Sequence, residues 1–114
     1  MQDWLKMSAA ALGRGIGAGE IDPVDLAQTY LDAASAHPMS HRIYARLTPD
    51  RAMAEAAAAS ARAKAGQRLS ALDGVPISWK DLFDTAGIAT EAGSALLKDR
   101  VPSADAEVLR VSTM

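Results

Sequence analysis

Leu72-Asp73-Gly74-Val75-Pro76-Ile77-Ser78-Trp79-Lys80-Asp81-Leu82-Phe83-Asp84-Thr85-Ala86-Gly87 is the stretch whose reading decides the fold. It holds the only phenylalanine of the chain and one of its two tryptophans, among several β-branched residues. Val75, Ile77 and Trp79 recur at period two, which predicts a short strand with these three on one face. Pro76, Ser78 and Lys80 then share the other face. Asp73-Gly74 and Ala86-Gly87 are turn signals that bracket the element. Pro76 has no N–H to give to a ladder, so the spacing puts it at the start of the strand or at an edge. A lysine at the end of such a strand is placed by the backbone, which makes Lys80 the candidate for chemistry. The ordinary alternative is a lysine that packs its stem and keeps its head in water.

Working outward, that strand needs neighbours, and the composition supplies few. Apolar residues make up 49% of the 114, but 25 of these residues are alanine, with one Phe, two Trp and two Tyr. Large side chains contribute roughly 1.5–3 kcal/mol each when fully buried, and alanine far less. The expectation is one domain at most, and a part of a larger fold. The net charge of -2 comes from 14 acidic and 12 basic residues mixed along the chain, which points to neither nucleic acid nor a membrane surface. With no cysteine, a disulfide framework and a thiolate metal site are both excluded. The first residues lack a basic segment followed by an apolar run, and no stretch approaches the roughly 20 apolar residues of a membrane span. A cytoplasmic location is expected.

Ahead of the central stretch the sequence reads as helices. Residues 3–12 carry Trp4, Leu5, Ala9 and Leu12 at helical spacing. Gly13, Gly15, Gly17 and Gly19 follow, but Ala18 and Glu20 stand where a GxGxxG loop needs its third glycine. A helix end and loop is the expectation there. Asp22, Pro23 and Asp25 mark the start of a second helix that ends before Pro38. His37 and His41 flank that proline and read as loop histidines rather than metal ligands. Residues 43–47 suggest a short strand, and Thr48-Pro49 open an alanine-rich helix in which Arg51 and Glu55 form an i,i+4 pair. Gly66 closes that helix, and residues 67–71 read as an exposed linker. Beyond the central stretch, Thr90 and Ser94 are hydrogen-bonding candidates near a site, or simply loop residues. Ser103 is the expected cap of a last helix, with Asp105 and Glu107 in its first turn.

The block from Leu72 to Asp81, followed by Ala86-Gly87, Thr90, Ala92-Gly93-Ser94 and Asp105-Ala106-Glu107-Val108, resembles the N-terminal part of the amidase signature family. Gly19-Glu20-Ile21-Asp22-Pro23-Val24-Asp25-Leu26 with Tyr30-Leu31 looks like the early helix of that family, and Arg46-Leu47-Thr48-Pro49-Asp50 like its next strand-to-helix step. The resemblance implies an α/β fold in which helices pack on a mixed central sheet, with residues 1–114 forming the N-terminal portion of a single amidase domain. It implies hydrolysis of carbon–nitrogen amide bonds by a serine nucleophile, a second serine in a cis peptide bond and a lysine base. Lys80 stands at the position of that lysine. The family uses neither metal nor organic cofactor, and a small-molecule amide is the implied substrate.

No Gly-Gly-Ser-Ser pattern occurs in the sequence, so the chain is expected to stop short of the Gly/Ser-rich catalytic segment and to be inactive alone. Ser70, Ser78 and Ser94 stand in no motif of a nucleophile. The family also includes the amide-transferring component of tRNA-dependent amidotransferases, which implies a larger complex as one setting. The alternative, from a different class, is a non-catalytic amidase-like module that acts by homo-oligomerisation or partner binding through an unpaired strand edge.

Overall fold

The computed structural model describes residues 2–112, with the side chain of Gln2 left aside, and the chain divides into two units, Met1–Pro76 and Ile77–Met114. The first unit is helical throughout. A 3-10 turn, Gln2–Lys6, leads into α1, Ala9–Gly17, where the Ser8 side chain accepts from the Ala11 N–H. Helix α2, Pro23–Ala36, starts as its sequence dictates: the Asp22 carboxylate accepts the Val24 N–H at 2.9 Å, and Pro23 needs no partner in the first turn. A single turn, α3 (Ser40–Ile43), ends at the first residue of the strand expected at 43–47, and residues 44–47 are irregular. Helix α4, Pro49–Lys64, follows Thr48, whose hydroxyl makes no cap bond although Pro49 sits in the first turn.

Leu12, Ile16, Ile21 and Leu26 form the core of this unit, with Trp4, Met7, Tyr30, Ala63 and Val75 packed around it. Helix α2 packs chiefly on α4, which presents buried Ala56, Ala59 and Ser60. Side chains that small let two helices approach closely, and this explains a helix in which nine of the residues 51–66 are alanine. The Tyr30 hydroxyl donates to the Trp4 carbonyl at 2.9 Å and ties the N-terminal turn to α2.

The glycine series has a different cause from the loop expected of it. Gly13, Gly15 and Gly17 lie within α1, where each leaves room for a different neighbour: the Ala71 backbone, the Ile21 side chain and the Arg68 guanidinium. A Cβ on Gly13 would run into the Ala71 carbonyl oxygen, and one on Gly15 would run into the Ile21 side chain. Gly19, at φ +77, makes the turn out of the helix.

The second unit is held mostly by loops. Asp84 accepts two bonds from the Arg100 guanidinium, at 2.7 and 3.0 Å, and its carbonyl accepts from the Ala106 N–H. Gly87 and Thr90 donate their N–H groups to the carbonyls of Pro102 and Arg100. The Ser94 hydroxyl caps a 3-10 turn, Ala95–Leu97, by accepting from the Leu96 N–H. Helix α5, Glu107–Ser112, starts later than the Ser103 cap implied, and it buries Leu109. Asp105 instead accepts the Ala86 N–H at 2.8 Å.

The expected mixed central sheet is not present. Among the described residues there is no strand, and the one ladder contact is an isolated antiparallel bridge between Thr85 and Ile88. Residues 75–80 follow no regular path, although their period-two pattern is real. A strand must hand its backbone N–H and C=O groups to a neighbour, and no described segment pairs with this one. Val75 serves the helical core instead, with its N–H on the Leu72 carbonyl.

Candidate active site around Lys80

Lys80 is exposed at the end of residues 75–80, and its carbonyl accepts the Phe83 N–H at 3.2 Å in the turn that follows. Beside it the rings of Trp79 and Phe83 meet edge to face, with centroids 5.9 Å apart. The two acidic residues next after the lysine, Asp81 and Asp84, are committed to the loops. Asp81 accepts the Glu91 N–H, and the Glu91 carboxylate in turn accepts the Asp99 N–H. Asp84 is bound to Arg100, whose two donors hold its carboxyl below the ordinary carboxylate range. The lysine therefore sits above a braced loop, but the burial that a neutral amine base calls for is absent here.

The other candidates are placed but not gathered. Thr90 is buried, with its hydroxyl directed at the Ile88 carbonyl. Ser94 is occupied as a cap, and Ser78 is exposed. No serine of the described 77–112 unit is hydrogen-bonded to Lys80, so this chain assembles no nucleophile–base pair there. His37 ends α2 and accepts the Met39 N–H on Nδ1, while His41 lies in α3. No group of three or more metal-ligating side chains occurs among the described residues. None of their helices is long and apolar enough to cross a membrane.

Sequence reasoning missed the carboxylate roles of Asp81 and Glu91, and three that join more distant residues: Asp73 on Arg62 in the first unit, and Asp84 on Arg100 and Asp105 on the Ala86 N–H in the second. The i,i+4 pair of Arg51 with Glu55 had a spacing that could announce it, and it is present at 2.7 Å; the i,i+3 pair of Glu107 with Arg110 is likewise local. The partners in the three distant contacts lie 11, 16 and 19 residues apart, beyond any local pattern.

The motif around Lys80 lies inside a match to the amidase family model that runs over residues 25–112. The chain belongs to the amidase family. It is 37% identical over 108 residues to the glutamyl-tRNA(Gln) amidotransferase A-subunit of Thermobifida fusca, covering 95% of this chain and 22% of that protein. The protein of the same name from Anaeromyxobacter dehalogenans is 41% identical over 97 residues, 85% of this chain and 20% of the relative. That from Streptomyces coelicolor is 35% identical over 112 residues, with 96% and 22% covered. The chain thus spans about a fifth of the length of the curated relatives it matches. No solved structure matches it.

Proposed function

We propose that residues 1–114 are the N-terminal portion of an amidase domain and that Lys80 is the base of a Ser–cis-Ser–Lys set acting on a carbon–nitrogen amide bond. The observation that carries this reading is the family match over 25–112, which encloses the Lys80 block. In this scheme the nucleophilic serine passes its proton, through the relay serine, to the lysine amine and attacks the amide carbonyl; the C–N bond breaks as that proton goes to the leaving amine, and water then hydrolyses the acyl-serine. Such a base must be neutral and withdrawn from water. Since Lys80 is exposed within residues 77–112, that withdrawal is left to the Gly/Ser-rich portion of the domain. The chain alone is then inactive, and a small-molecule amide is the substrate of the assembled protein. The names of the relatives support an amidotransferase complex as one form of that assembly.

Release of ammonia from glutamine and small primary amides tests the proposal, in a polypeptide that joins this segment to the Gly/Ser-rich portion of a relative. Lys80→Ala lowers kcat/KM on the order of 10²–10⁴-fold, the usual share of a positioned acid–base group, while circular dichroism shows the fold retained. Turnover within a few-fold of the parent would remove Lys80 from the catalytic set. A second reading, a non-catalytic module that dimerises or binds a partner, is favoured by the exposure of Ile77, Leu82, Leu96 and Val101. A stable dimer of the 114-residue chain in sedimentation would support it.

A further inference from the structure

The segment directly ahead of the Lys80 run, read from sequence as a plain linker, is bound to the first unit by a charged clamp. The Asp73 carboxylate accepts from Arg62 Nε and Nη2 of α4, both at 2.8 Å, and from the Leu69 N–H at 3.0 Å. Its side chain is 7% exposed and that of Arg62 31%, so the pair is largely shielded from water. Arg68 Nη2 donates to the carbonyls of Ala71 and Asp73. Gly74, at φ +97, lies where a Cβ would meet Pro23, and Gly13 of α1 leaves room for the Ala71 carbonyl. One carboxylate therefore closes residues 69–73 on themselves and fastens them to α4.

We infer that Arg62 and Asp73 form an acid-released latch on residues 69–75, which frees the chain ahead of the Lys80 run without unfolding α1 and α2. The inference goes beyond the amidase reading and holds whether or not Lys80 is a base. Protonation removes the negative charge that both Arg62 donors and the Leu69 N–H share, and no other carboxylate in this turn replaces it. The charged groups acting on Asp73 are Arg62 and, in its own segment, Arg68; Glu55 acts on Arg62 and is itself paired with Arg51. The Arg62 bonds, the Leu69 N–H and the two cations hold the Asp73 pKa below that of an ordinary carboxylate. The latch is therefore complete above the ordinary carboxylate range and is lost as pH falls through the lowered folded value. Arg68 Nε is buried with no partner, a desolvation cost carried only while the segment is closed.

The test is an acid titration of the isotopically labelled 114-residue chain by amide NMR and hydrogen exchange. The Leu69 N–H is expected to titrate with a midpoint below the ordinary carboxylate range. Protection at Leu69 and Val75 is expected to vanish there while Leu12 and Leu26 keep theirs. Arg62→Lys, which keeps the charge but not the paired donors, moves that midpoint up; Asp73→Asn leaves both amides unprotected at neutral pH. A Leu69 signal that does not titrate, or loss of Leu69 and Val75 protection only together with Leu12 and Leu26, overturns the latch. Should Asp73→Asn fail to fold, Arg62→Lys decides alone, and an unchanged midpoint overturns the proposal.

Discussion

At the residue scale, the glycines of α1 show how one substitution separates two physical effects. Alanine is favoured over glycine inside a helix by roughly 1 kcal/mol, so each Gly→Ala change in α1 begins with a gain. At Gly13 the new methyl would overlap the Ala71 carbonyl, which is backbone and cannot swing aside. At Gly17 it would meet only Arg68 Nη1 at 2.7 Å, the far end of a flexible side chain. Gly13→Ala is therefore expected to lose about 1–3 kcal/mol in urea unfolding, the usual cost of overpacking. Gly17→Ala should lose less than Gly13→Ala, because the Arg68 guanidinium can shift where the Ala71 carbonyl cannot, at the expense of its bonds to the Ala71 and Asp73 carbonyls. Equal gains at both sites would mean that propensity governs α1, and not the close approach of the 68–72 segment. Nothing in the sequence separates these two glycines, because the atoms they make room for lie far along the chain, in Arg68 and Ala71.

At the element scale, the starts of α2 and α4 were legible, whereas the helix expected at 3–12 is a 3-10 turn followed by α1 at Ala9–Gly17, and the expected sheet is absent among the described residues, for reasons that particular residues show. Asp22-Pro23 carries its own start signal, so α2 begins where the sequence places it. Thr48-Pro49 carries the same signal, and α4 starts there although the Thr48 hydroxyl makes no cap bond: Pro49 and the alanine run are sufficient. Val75, Ile77 and Trp79 alternate as a strand does, but a strand exists only with a partner, and alternation says nothing about whether one is present. Lys80 is singled out by that alternation and by resemblance, while the loop that follows it, held through Asp81, Asp84 and Asp105, gives no local signal. The energetics of α2 can be checked directly. Leu26 is fully buried, and Leu26→Ala is expected to cost about 2–5 kcal/mol. Asp22→Ala removes one bond to the Val24 N–H, worth about 1 kcal/mol. Thermal melts should show the larger drop for Leu26→Ala; the reverse order would mean that α2 is held by its cap more than by its core.

At the scale of the whole molecule, each unit carries one tryptophan, so the two can be followed separately; the first holds a shielded pair, Arg62 with Asp73, beside the more exposed Arg51 and Glu55, and the pairs described in the second are exposed. Trp4 packs on the helical core of the first unit, where Asp73 and Arg62 are shielded. Trp79 meets Phe83 in the second unit, where Asp84 and Arg100 keep 35% and 42% of their side-chain surface, and Glu107 with Arg110 keeps more. Arg62, Arg100 and Arg110 hold Asp73, Asp84 and Glu107, in that order, below their ordinary range. A lowered carboxylate contributes stability that is full above its unfolded value and lost as pH falls through the folded one. Both units are therefore expected to weaken on acidification, and neither on moderate alkalinisation through these groups. Salt distinguishes them, since exposed pairs are screened over a few ångströms at about 1 M ionic strength and shielded pairs much less. In Trp79→Phe, where Trp4 alone reports, the urea midpoint at neutral pH should change little on adding salt beyond the general salt effect. In Trp4→Phe, where Trp79 reports, it should fall relative to that baseline, and its dependence on pH should flatten. If the two reporters moved together in both salt and acid, the two units would unfold as one cooperative body.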